Sequence, residues 1–252
     1  MVDKILNAFF NDKAVFRFTK SEQLKYMQRL KKPQDAIDRS FLQYKCQIRH
    51  LSFIKRLFLN AISALGLLLY TAKRKLHSQE PDRHIQSLCL FVHDERNVPL
   101  KYRNADYAMI EKMEGEAWTR ESEEYYREVK KRYRLSPFFL LKIYKKMRFY
   151  QYLMCKYAPQ NIVTANEYSF TSSIMTELCN RQGVKHIDVM HGDKLFYFGD
   201  SFFYFNEVSV WNEFYVDLFK QLNGKWDEIS IYFPQDRFIV ESAGEAPPES
   251  RL

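Results

Sequence analysis

Between residues 161 and 192 two short apolar runs bracket a segment whose apolar positions recur at helical spacing. NIVTANEYS (161–169) predicts a strand running into a polar loop, SSIMTELCNRQG (172–183) a helix closed by Gly183, and VKHIDVMHG (184–192) a second strand. Gly183 suits a helix C-terminus because glycine enters the left-handed conformation freely. Strand, helix and strand within some 32 residues make a βαβ crossover, which demands a parallel sheet and a right-handed connection. EVSVWN (207–212) and EFYVDLFKQLNG (213–224) add a strand and a helix, and IQSLCLFVH (85–93) is an earlier β-rich apolar run. The pattern therefore predicts an α/β fold with a Rossmann-like parallel sheet and flanking helices.

Ahead of the crossover, Ser136-Pro137 opens an amphipathic helix that ends before Pro159, with Leu140, Leu141, Ile143, Tyr144 and Met147 on its apolar side. The first third is basic and helical. Within it, LSFIKRLFLNAISALGLLLYTA (51–72) has an uninterrupted apolar part of about 14 residues, Leu57 to Tyr70, which still contains Asn60 and Ser63. A span needs about 20 residues, so this segment is expected not to cross a bilayer. It reads either as a helix lying at a lipid surface with its Lys and Arg against phosphates, or as a core helix capped by solvated charge. The polar stretch HSQEPDR (77–83) is the best boundary. The predicted units are a basic helical region (1–80), a Rossmann-like domain (81–224), and a linker or start of a further domain, partly disordered (225–252).

Composition sharpens this picture in two places. Residues 1–80 hold 16 Lys/Arg against 6 Asp/Glu, leaving 23 against 25 for the rest, so the net +8 belongs to the N-terminal third. That asymmetry points to an anionic partner at that end. The four cysteines, Cys46, Cys89, Cys155 and Cys179, have no metal-binding spacing and read as reduced core thiols. No secretory leader pattern opens the chain, so a cytoplasmic location, peripheral at the inner membrane face, is expected.

Ligands of open parallel sheets bind beyond the carboxyl ends of the strands. Two polar clusters are predicted there: Asn166-Glu167-Tyr168-Ser169 and His191-Gly192-Asp193-Lys194. A free imidazole titrates near neutral pH, so a histidine such as His191 can serve as a general base, or it can be a strand-end histidine bonded to backbone at a turn. Gly192 allows a sharp turn or a close approach, Asp193 an orienting or hydroxyl-binding carboxylate, and Lys194 a phosphate contact. No GxGxxG, Walker, HExxH or GxSxG motif is present, so no cofactor and no metal are expected.

The succession from Asn161 to Phe219 resembles the end of the N-terminal domain in GT-B glycosyltransferases of bacterial capsule and related surface polysaccharides, and is similar to the matching part of CDP-glycerol glycerophosphotransferases. It covers about 60 residues, with Asn166-Glu167, the helix from Ser172, His191-Gly192 and Trp211-Asn212-Glu213 at the matching positions. The resemblance implies that His191 is the candidate base that deprotonates an acceptor hydroxyl. It also implies that Asn166, Glu167, Gly192, Asp193, Lys194 and Glu213 line or border the acceptor cleft. The implied partners are a lipid-linked or polysaccharide acceptor, a nucleotide-activated donor and an anionic membrane surface. Only about thirty residues follow the helix at 213–224, so the donor-binding domain of such an enzyme is expected from elsewhere. A non-catalytic acceptor- or complex-binding subunit is the alternative. A nucleic-acid-binding protein, suggested by KKRYR (130–134), is a further one, without a recognised motif.

Overall fold

A computed structural model describes residues 18–72, 84–92, 94–103, 106–112 and 115–234. Six parallel strands form one sheet in the order β2-β1-β3-β4-β5-β6: β1 Ser87–Leu90, β2 Tyr107–Ile110, β3 Asn161–Thr164, β4 Lys185–Val189, β5 Tyr204–Val210 and β6 Lys225–Ile231. The helices are α1 Lys20–Gln28, α2 Ala36–Gln47, α3 Phe53–Ala72, α4 Leu100–Arg103, α5 Arg120–Tyr133, α6 Pro137–Tyr157, α7 Ser172–Arg181 and α8 Glu213–Gln221. The architecture is the Rossmann-like α/β fold that the apolar pattern predicts. After β2 the chain crosses to the far side of β1, so the strand order switches between β1 and β3.

Both faces of a parallel sheet must be covered, because its crossover helices lie on them. Alternate strand residues divide accordingly. Leu88, Leu90 and Ile162 join a large cluster with Phe139, Ile143 and Met147 of α6 and Met175 and Leu178 of α7. Cys89, Val163, Ile187 and Val189 face the other way, toward Val98 and Tyr102. The N-terminal helices belong to this core, since Tyr44 of α2 packs on Phe139 and Phe170 with ring centroids 5.4 and 5.3 Å apart.

Two sequence expectations change. Residues 225–231 form not a linker but β6, paired with β5 from Tyr204↔Lys225 to Val210↔Ile231. Its side chains are mostly exposed, as an edge strand permits. The apolar segment is longer than the stretch from Leu57 to Tyr70: α3 is one helix of 20 residues that begins at Phe53 and takes in Lys55 and Arg56. Asn60 turns inward, where its Oδ1 accepts from the Phe138 N–H at 3.2 Å, and Ser63 is fully buried at 0% exposure. The tail strand expected at 238–240, the linker 77–83 and the basic run 73–75 lie outside the described residues.

The outer face of α3 is unlike a surface of ordinary polarity. Phe53, Ile54, Leu57, Phe58, Leu65, Leu68 and Leu69 are all exposed, Phe53 at 73% and Leu68 at 69%. The covered side is mixed, with Leu59 at 2% and Ser63 at 0% exposure and Ile62, Leu67 and Tyr70 packed on the core, so apolar residues line both sides of the helix rather than one. Over Phe53–Thr71 this is the one helix among the described residues long and apolar enough to cross a membrane.

Candidate functional site

The loops that follow β3 and β4 meet at the carboxyl edge of the sheet. On the β3 side, the Asn166 N–H donates to Asp188 Oδ1 at 2.8 Å, and its carbonyl accepts from Ser172 Oγ at 2.7 Å. Two amides of α2, one turn apart, grip the same loop. Gln43 Nε2 donates to the Glu167 carbonyl at 2.7 Å, Gln47 Nε2 to the Tyr168 carbonyl at 2.5 Å, and both also reach the Gly199 carbonyl, at 3.2 and 2.7 Å. This connection was not visible in the sequence, because it spans more than a hundred positions.

On the β4 side, Trp211 Nε1 donates to the Met190 carbonyl at 3.2 Å, and the Tyr215 hydroxyl to Asp193 Oδ1 at 2.5 Å. Lys194 forms an ion pair with Glu167, closing the two loops on each other. His191 is partly exposed at the mouth, and its ring meets Tyr168 edge-on with centroids 6.1 Å apart. Gly192 lies outside the left-handed region, and a Cβ there would meet nothing within 4 Å. The backbone thus makes no steric demand for glycine at that position, in contrast to Gly183 with φ +71°.

Asn166, Glu167, Asp193, Lys194 and His191 are therefore brought together, but at different depths. Glu167 is fully buried at 0% exposure and Asn166 nearly so, while Asp193 is exposed. Glu213 is exposed in the first turn of α8, whose N-cap is Asn212, and among the described residues it bonds to none of the others. A carboxylate there complements the positive end of the helix.

Beneath the mouth, Glu167, Asp188 and Asp200 share the single cation Lys194. Burial, reinforced by the neighbouring Glu167 charge and opposed by the Asn166 N–H, raises Asp188 well above the usual carboxylate range. Burial and then Glu167 push Asp200 up to about 7, with Lys194 opposing. Burial pulls Lys194 downward, yet the Glu167 carboxylate outweighs it and leaves the ammonium above its ordinary value. Among the described residues, Glu167 Oε2 and Asp188 Oδ2 accept no hydrogen bond. No group of three or more His, Cys, Asp or Glu among the described residues could hold a metal ion.

Two further residues escaped sequence reasoning. His186, at the base of β4, is fully buried between the Tyr150 hydroxyl at 3.0 Å and Thr176 Oγ1 at 2.8 Å; burial, and then the Lys146 charge, lower it to about 3. Lys146 on α6 lies 5.3–5.7 Å from the ring centroids of Phe91, Phe149 and Tyr150, and burial lowers it to about 8. Phe91 directly follows β1 and adopts φ 54°, a left-handed conformation that strains a bulky residue.

Chemically, the partly exposed imidazole of His191 can exchange a proton with a hydroxyl placed at the mouth, whereas the side chains of Glu167 and Asp188, at 0% and 1% exposure, are withdrawn from it and brace the loops. No family model matches the chain, and no curated protein or solved structure matches it.

Proposed function

We propose that this chain is the acceptor-side part of a GT-B-like glycosyltransferase that works at a membrane surface on a surface-polysaccharide acceptor. The observation that carries the reading is the position of His191: a partly exposed imidazole at the carboxyl edge of a parallel sheet, beside Tyr168, on a loop braced by a buried ion pair. In this reading His191 takes the proton from the acceptor hydroxyl as its oxygen bonds to the activated donor carbon, whose bond to the nucleotide phosphate breaks and releases the nucleotide. Asp193 and Tyr168 flank the acceptor, and Glu167, Asn166 and Lys194 hold the loops in place. The donor nucleotide is bound by the second domain that the resemblance implies.

The exposed apolar face of α3 supports the membrane part of the proposal, since it offers lipid a continuous apolar stripe while the helix stays packed on α6. The test is incorporation of label from radioactive nucleotide sugars into polymer by membranes containing the chain. Replacing a general base costs about 10²–10⁴-fold, so His191→Ala is expected to lose at least the lower figure. Undiminished incorporation by that variant would remove His191 from the chemistry and this reading with it.

A further inference from the structure

We propose that a cleft between α2 and the first turns of α3 binds the phosphate head of a membrane lipid, with Arg56 and Lys45 as the recognising cations. The cleft has a volume of about 330 Å³, and Lys45, Arg56, Tyr44, Asn60, Phe53 and Leu57 are among the residues that line it. Arg56 is half-buried, and its Nε is buried without a hydrogen-bond partner. Neither Arg56 nor Lys45 forms an ion pair with a carboxylate among the described residues; the Lys45 ammonium lies 5.4 Å from the Phe41 ring centroid. A guanidinium N–H withdrawn from water without an acceptor is costly. An arriving phosphate oxygen supplies that acceptor and, with Lys45, a second charge-assisted contact.

The surroundings select a lipid over a soluble phosphate. Phe53 and Leu57 are 73% and 61% exposed, and they continue directly into the apolar outer face of α3. A small phosphate has no use for that wall, whereas a lipid places its head on the cations and its chains along the stripe. The charge is one-sided. No Asp or Glu occurs between Asp38 and Glu80, a stretch holding eight Lys/Arg, and none occurs from Pro137 to Tyr157 of α6. Lys145 of α6 lies 4.6 Å from the Tyr70 ring centroid, which adds a cation near the far end of α3. An anionic bilayer complements this surface, while a second copy of the chain would oppose cation to cation.

The proposal rests on the reading of α3 as a lipid-facing helix, and the experiment separates the two. Full-length chain is sedimented with phosphatidylcholine vesicles, with and without phosphatidic acid, in three forms: unmodified, Arg56→Gln/Lys45→Gln, and Leu65→Glu/Leu68→Glu. The unmodified chain is expected to prefer the phosphatidic acid vesicles. The Arg56→Gln/Lys45→Gln form should lose about thirtyfold in affinity for them, at the usual strength of two basic contacts, while binding neutral vesicles as before. Its thermal midpoint should not fall, because Arg56 Nε has no partner to lose. The Leu65→Glu/Leu68→Glu form should bind neither vesicle, which tests the apolar face alone. Undiminished phosphatidic acid binding by the Arg56→Gln/Lys45→Gln form overturns the head-group site. So does a lowered midpoint, which would make Arg56 structural. Full competition by equimolar inorganic phosphate would assign the cleft to a soluble ligand instead. Failure of the unmodified chain to bind any vesicle sinks both ideas.

Discussion

Lys194 and Glu167 form the ion pair that ties the loop after β4 to the loop after β3, and the Glu167 side chain has no exposure. With Lys194 gone, Glu167 would share its buried surroundings with Asp188 and Asp200 and no cation. Breaking such a pair from one side costs about 3–5 kcal/mol. Lys194→Met is expected to lower the urea midpoint by a corresponding amount, and Lys194→Met/Glu167→Gln to recover most of it. A single variant as stable as the parent would show that the pair does not brace the loops.

Stability should depend on pH through His186 on one side and the carboxylates Asp188 and Asp200 on the other. His186 is neutral in the fold, with a value of about 3 against about 6.5 when unfolded. Its contribution is complete above about 6.5 and is lost as pH falls, by up to about 1.4 kcal/mol per unit. Asp200 moves the other way, from 3.8 to about 7, so its contribution is complete at low pH and is lost as pH rises through neutrality. In Asp200→Asn the His186 slope should be partly unmasked, with urea midpoints rising more steeply between about pH 4 and 6.5 than in the parent. In His186→Gln the slope should shift the opposite way. Parallel profiles in all three proteins would contradict both assignments.

Thr176 is a hub of the core beneath the site. Its Oγ1 lies within hydrogen-bond distance of the Ser172 carbonyl at 3.0 Å and the Tyr204 carbonyl at 2.6 Å, either of which can take its one proton, and 2.8 Å from His186 Nδ1. Thr176→Val keeps the shape and removes the hydroxyl, leaving buried groups short of a partner at a cost of about 1–3 kcal/mol. Thr176→Ser should retain most of that. Equal chemical stability of the valine and parent proteins would count against the network.

The two glycines that bracket β4 should respond differently to alanine. At Gly183 a Cβ meets nothing within 4 Å, so the whole penalty of Gly183→Ala is the left-handed backbone, about 1–2 kcal/mol. Gly192→Ala meets neither obstacle and should change stability by less than about 0.5 kcal/mol. A loss of transfer activity in Gly192→Ala at unchanged stability would then locate bound substrate against that backbone. Destabilisation by Gly192→Ala equal to that by Gly183→Ala would contradict the contrast.

The βαβ unit from Asn161 to Val189 was legible because both strands are apolar runs and the helix between them ends on a glycine. Strand β2 was missed because YAMI is only partly buried, and β6 because KWDEISI carries charges that an edge strand tolerates. The site was half legible. Spacing placed Asn166 and His191 at neighbouring strand ends, but it could not show that Glu167 is buried or that Lys194 reaches it, since depth is set by packing. Nor could it orient α3. A helix apolar on nearly every side gives no periodicity to say which face is covered, and it is Leu59, Ser63 and Gly66 that mark the covered one.

The grip of Gln43 on the Glu167 carbonyl joins positions 124 residues apart. At about 5–20 residues per second, a ribosome needs roughly 6–25 s to make the second partner after the first. During that interval α2 and α3 have neither the β3 loop nor α6 to pack against. The outer face of α3 needs no later partner to be complete. Where α3 lies against lipid as proposed, the bilayer is therefore available to its outer face before the β3 loop and the strands that follow it are made.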